Sequence, residues 1–128
     1  MPRGLSAGPA YFGLVFAAGF VLGTLRTLWL APALGELGAV ALELPVMLAV
    51  SWLACGAVLR RRPLPALPDR AVMGASAFAL LMAAEAALAL ALGVPLPAHL
   101  AAYAEAPRAL GLAGQIAFAL IPLVRRGD

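Results

Sequence analysis

The chain has 128 residues, of which 64% are hydrophobic and only 12% charged, with a formal net charge of +3. Soluble domains carry about 25% charged residues, so this chain lacks the polar surface of a water-soluble fold, and its length leaves room for one domain, 1–128. The basic residues are nine arginines and no lysine, all but Arg26 placed at the ends of apolar runs rather than along a stripe, which excludes the footprint of a nucleic-acid binder.

The first apolar run covers about 9–30, too long for the core of a cleavable signal, and is taken as a first membrane span. The turn Ala-Pro-Ala-Leu-Gly (31–35) leads into a second run, about 36–59, closed by Arg60-Arg61-Arg62 and the linker PLPALPD (63–69). Asp69 is placed to cap the N-terminus of a third run, about 71–92, which Gly93-Val94-Pro95 terminates. The next stretch, PLPAHLAAYAEAPR, is long enough for a short interfacial helix at 97–105, with Leu100 and Tyr103 inward and His99 at the water boundary. A fourth run, about 107–124, ends at Arg125-Arg126.

Each run approaches the roughly 20 residues needed to cross a bilayer as helix, and lipid offers no partner to an unpaired backbone group. The expected fold is therefore an all-α integral membrane protein, an antiparallel four-transmembrane-helix bundle. Seven of the nine arginines (Arg3, Arg60, Arg61, Arg62, Arg70, Arg125 and Arg126) fall at ends that share one side of the membrane. The positive-inside rule then places both termini and the 60–70 linker in the cytoplasm, as in a multi-pass protein of a bacterial inner membrane.

Arg26, Glu43 and Glu85 each lie within an apolar run. A charge at a bilayer centre costs about 2.5–3.5 kcal/mol on insertion scales, so such residues face a partner or a wet cavity and mark functional candidates. At 1.5 Å rise per residue they sit about 6, 10 and 10 Å below the outer surface, with Gln115 of the fourth span about 12 Å down. One polar side chain from each span thus falls in one outer-half layer. Arg26 is expected to pair with Glu43, because a tight turn makes the first two spans neighbours. Glu85 is then the group expected to gain and lose a proton.

Thr27, Glu36 and Pro45 are supporting candidates. Pro45 is expected to kink the second span and free the Ala41 carbonyl beside Glu43. His99, Glu105 and Arg108 are candidates for an outer vestibule, and Gly19 and Gly23 for close helix packing. Trp29, Trp52, Tyr11 and Tyr103 are read mainly as interfacial aromatics, Trp52 lying deeper. The single cysteine, Cys55, forms no intrachain disulfide and reads as a small buried side chain. No nucleotide-binding, nucleophile-elbow or zinc-protease pattern occurs, and no catalytic residue, metal site or cofactor is expected.

The Gly-x-x-x-Gly-x-x-Arg step ending at Arg26, the Pro-x-x-Gly-Glu turn at 32–36 and Glu-x-Pro at 43–45 resemble an uncharacterised family of small four-span bacterial inner-membrane proteins, a match confined mainly to residues 19–53. The resemblance implies the four-span fold and supplies no chemistry. The leading expectation is a small inner-membrane protein whose Arg26/Glu43/Glu85/Gln115 layer binds or relays a small cation or proton. The alternative is a non-catalytic accessory or assembly subunit whose ionic cluster is structural. The expected partners are the lipid bilayer and either a second copy or another membrane subunit.

Overall fold

The computed structural model describes residues 3–61 and 63–125; Arg62 and Arg126, counted above among the orienting arginines, lie outside the described residues. All regular secondary structure among the described residues is helical. Helix α1 spans Arg3–Leu25 and passes directly into a π-helical turn, Arg26–Leu30. Helix α2 spans Ala31–Arg61, α3 Leu67–Ala91, α4 Leu96–Ala101 and α5 Ala106–Val124, with a 3-10 turn at Ala102–Ala104 between α4 and α5. Three helical stretches are long and apolar enough to cross a membrane: Ala7–Arg61, Leu67–Ala91 and Ala106–Val124.

The first of these stretches, 55 residues long, is not one rod. Gly35 has φ 78° and ψ 161°, a conformation that side-chain-bearing residues rarely adopt, and the helix breaks there. The expected turn at 31–35 is therefore helical up to Leu34 and turns at one residue. Pro32 bears on the π-helical turn just before it. Lacking an N–H, proline cannot bond the carbonyl four residues back, and its ring crowds that carbonyl. The backbone widens instead, and the Ala31 N–H reaches the Arg26 carbonyl five residues back.

α1 packs against α2 and α3, and α5 also packs against α2 and α3, so the four long helical segments form a ring. The two arms of the hairpin around Gly35 pack together: an added Cβ at Gly19 would lie 3.4 Å from Cε of Met47. A close backbone approach joins α3 to α5, where a methyl on Gly74 would run into the Ala119 carbonyl. Gly8 of α1 faces Ser76 of α3 just as tightly.

The core lies toward the 60–70 linker. It comprises Ala7, Tyr11 and Val15 of α1, Ala54, Cys55, Val58 and Leu59 of α2, Leu64 of the linker, Met73, Ala77 and Leu81 of α3, and Phe118 and Ile121 of α5. Tyr11, expected at the interface, is fully buried here. Its hydroxyl donates to the Phe118 carbonyl at 2.7 Å, and the two rings stack with centroids 4.4 Å apart. The reason lies four residues on: Pro122 has no N–H to offer Phe118, so the Phe118 carbonyl lacks its helical partner and the phenol supplies one.

α3 begins at Leu67 with Pro68 in its first turn, two residues before the expected cap. Asp69 lies inside the first turn, and no side chain caps the helix. At the same end, Arg70 donates to the carbonyls of Leu64 and Arg125 at 2.7 and 2.9 Å. The Arg125 guanidinium lies 5.1 Å from the Trp52 ring and donates to the Trp52 carbonyl. Trp52 is exposed on the outer face of α2 rather than packed inside the ring.

Tyr11→Phe is expected to cost about 1–2 kcal/mol, the penalty for an orphaned buried carbonyl, and clearly less in a Pro122→Ala background, where alanine restores the helical N–H. Thermal unfolding of the four proteins in detergent tests this; equal costs in both backgrounds would rule out the proposed compensation.

Candidate functional site

The half of the ring away from the core is hollow. A half-open cavity of about 860 Å³ reaches from Val15, Ser51, Leu81 and Phe118 at its floor to Glu36, Leu92, Val94 and Arg108 nearer its rim. Arg26, Glu43, Glu85 and Gln115 all line it. They form two separate pairs rather than one connected layer.

The first pair is ionic. Arg26 Nη1 donates to Glu43 Oε2 at 2.5 Å, with Arg26 one-third exposed and Glu43 10% exposed. The register follows from the hairpin, since Arg26 precedes Gly35 by nine residues and Glu43 follows it by eight. Gly23 lies one turn before Arg26, and a methyl added there would lie 3.7 Å from Arg26 Nη2. Gly23 therefore borders the guanidinium, while Gly19 faces α2 within the same chain.

The second pair is neutral on one side. Gln115 Nε2 donates to Glu85 Oε1 at 2.6 Å, and the Tyr103 hydroxyl donates to Glu85 Oε2 at 3.0 Å. Burial, together with the negative charge of Glu85, pushes the Tyr103 phenol above its ordinary value, so it remains a donor at neutral pH. The Arg108 guanidinium lies over the Tyr103 ring, 4.5 Å from its centroid. Arg108 also approaches His99 Nδ1 at 3.4 Å. Among the described residues, Glu85 meets no cation at ion-pairing distance, and Gln115 Oε1 is the one buried side-chain polar atom with no partner.

Several expected positions differ. Pro45 is exposed and does not line the cavity. Two helical residues turn through about 200°, so a proline at Glu43 plus two faces outward when Glu43 faces inward, and Ala41 lies on that outward side with it. His99 is 4% exposed rather than at the water boundary, whereas Leu100, expected inward, is 57% exposed. α4 starts at Leu96 and its single turn and a half rotates His99 against Tyr103, edge to face at 5.4 Å. Of the three vestibule candidates, His99 and Arg108 line the cavity, whereas Glu105 is exposed and stands at the start of α5, where its carbonyl accepts from the Ala109 N–H at 2.8 Å. Thr27 and Glu36 are exposed and line the cavity.

Tyr103 as the second donor to Glu85 was missed as a site residue, although its inward orientation was expected. The available signal was a tyrosine in the connection entering the fourth span, within reach of the same depth as Glu85. No group of three or more His, Cys, Asp or Glu side chains among the described residues is arranged to hold a metal ion.

Compared with protein-family models, with curated proteins and with solved structures, the chain matches none.

Arg26→Ala is expected to destabilise the protein by about 1–3 kcal/mol, between the values for exposed and fully buried ion pairs. Most of that cost arises from leaving Glu43 unpaired, so the Arg26→Ala/Glu43→Gln double variant should recover part of it. Unchanged thermal stability of Arg26→Ala would remove the pair as a support of the fold.

Proposed function

We propose that this is a four-span antiparallel membrane bundle with both termini cytoplasmic, in which a small cation or proton is bound or relayed at the outer-half polar cavity. The break at Gly35 supports counting Ala7–Arg61 as two spans. The arginines at the core end, Arg60, Arg61, Arg70 and Arg125, support the cytoplasmic placement of that end.

The observation that carries the functional reading is the difference between the two carboxylates lining one cavity. Glu43 has a cationic partner, whereas Glu85 has only neutral donors. An ionised carboxylate without a cation in an apolar surround is costly. Glu85 therefore takes up a proton or a cation from the cavity. Gln115 suits either state. Its Nε2 donates to the carboxylate, and after a flip of the amide its unpartnered Oε1 accepts from the carboxylic acid.

Reconstituted in proteoliposomes with an internal pH-sensitive dye, the protein should carry a proton flux that Glu85→Gln abolishes while its thermal unfolding stays within about 1 kcal/mol of the parent, the range of modest polar substitutions. Flux unchanged in Glu85→Gln would overturn the assignment to Glu85.

A further inference from the structure

We infer that the cavity is a binding site for an amphipathic organic monocation, seated with its positive centre at Glu85 and its apolar body against the floor. The inference rests on the proposal that Glu85 exchanges charge with the cavity, and it names the class of ligand.

Size is the first argument. About 860 Å³ is far more than a proton relay or a dehydrated metal ion requires, and it lies within the 300–1,000 Å³ typical of sites for organic molecules. Chemistry is the second. A calcium-like ion takes six to eight oxygen ligands and magnesium a near-ideal octahedron. Here no such group of ligating side chains exists among the described residues. Instead Phe16, Leu44, Leu48, Leu81, Leu112 and Phe118 contribute apolar wall. An organic cation asks for this combination of one carboxylate and extensive apolar surface.

Charge is the third argument. Around Glu85, Tyr103 and Gln115 are neutral donors, Arg108 is turned onto the Tyr103 ring and His99, and Arg26 is held by Glu43. Glu36 also lines the cavity and is exposed. One carboxylate held only by neutral groups selects one positive charge, and the same oxygen atoms accept either the proton or the organic cation. The two therefore compete, and each cation bound to protonated protein releases one proton.

The test is titration calorimetry of the full chain in detergent micelles with tetraphenylphosphonium, run in buffers of different ionisation enthalpy. Binding is expected with release of up to one proton per ligand, with affinity falling toward tenfold per pH unit as the pH is lowered. Glu85→Gln should lose at least tenfold in affinity, and Glu85→Asp should retain binding. If Glu85→Gln fails to fold, the proton release and pH dependence of the parent protein decide the question. Equal affinity for uncharged triphenylphosphine oxide, equal affinity in folded Glu85→Gln, or binding without pH dependence would overturn the inference. If tetraphenylphosphonium does not bind while Glu85-dependent proton flux persists, the organic ligand class fails and the proton reading stands. If both are absent, both fail.

Discussion

A polar group set among apolar side chains has only the rest of the protein for a partner, and this constraint organises the whole structure. It explains why Tyr11 leaves the interface, where an isolated tyrosine is comfortable, for the centre of the ring. The phenol satisfies the carbonyl that Pro122 leaves bare. It also explains why Arg26 turns inward to Glu43 and why Glu85 recruits donors from two other elements, Gln115 on α5 and Tyr103 in the preceding 3-10 turn. The outward faces carry the opposite composition, with Phe20, Leu28, Trp29 and Leu53 among the large exposed apolar side chains. In water such a surface would be a liability; against hydrocarbon it costs nothing.

The same residue type brings helices together in some places and leaves space in others. At the core end, Gly8 and Gly74 have a neighbouring helix almost on top of the missing Cβ, so removing a side chain brings backbones together. At the other end, Gly111 lines the cavity with nothing within 4 Å of its missing Cβ, and Gly23 meets only the Arg26 guanidinium. There the missing side chain leaves space that no backbone moves in to fill. Gly114, also at the cavity, instead receives the Leu44 side chain where its Cβ would be, so glycine serves packing at both ends and leaves volume only where no neighbour approaches.

Much of this was legible in the sequence, because hydropathy and depth are nearly one-dimensional quantities. The helical segments follow from the lengths of the apolar runs. The meeting of Arg26 with Glu43 follows from their almost equal offsets from a turn. Azimuth was harder to read. Pro45 was placed beside Glu43 by depth alone, although two residues along a helix lie on nearly opposite faces. His99 and Leu100 were exchanged between inside and outside for the same reason, since one residue of shift in a helix of six turns the pattern by about 100°. The proline compensations could be read only in part. That Phe118 and Leu28 each face a proline four residues on is visible in the sequence, but which distant group repairs the first, and that a widened turn accompanies the second, depends on the packing of the ring.

The separation of the polar layer into two pairs bears on its chemistry. Arginine carries donors and a fixed positive charge but no acceptor, so the Arg26–Glu43 contact favours the ionised carboxylate and gives a carboxylic acid O–H nothing to donate to. Glutamine carries a donor and an acceptor on one rotatable group, and a tyrosine hydroxyl is likewise both. A carboxyl held by glutamine and tyrosine can find both donors and an acceptor, so its acid O–H can also be satisfied, whereas arginine offers donors alone. The first arrangement suits a group that exchanges its charge while staying in place, and the second suits a clasp between α2 and the π-helical turn. Both occur in one cavity, so the clasp joins α2 to the π-helical turn while Glu85, on α3, is held by donors from α5 and the turn before it.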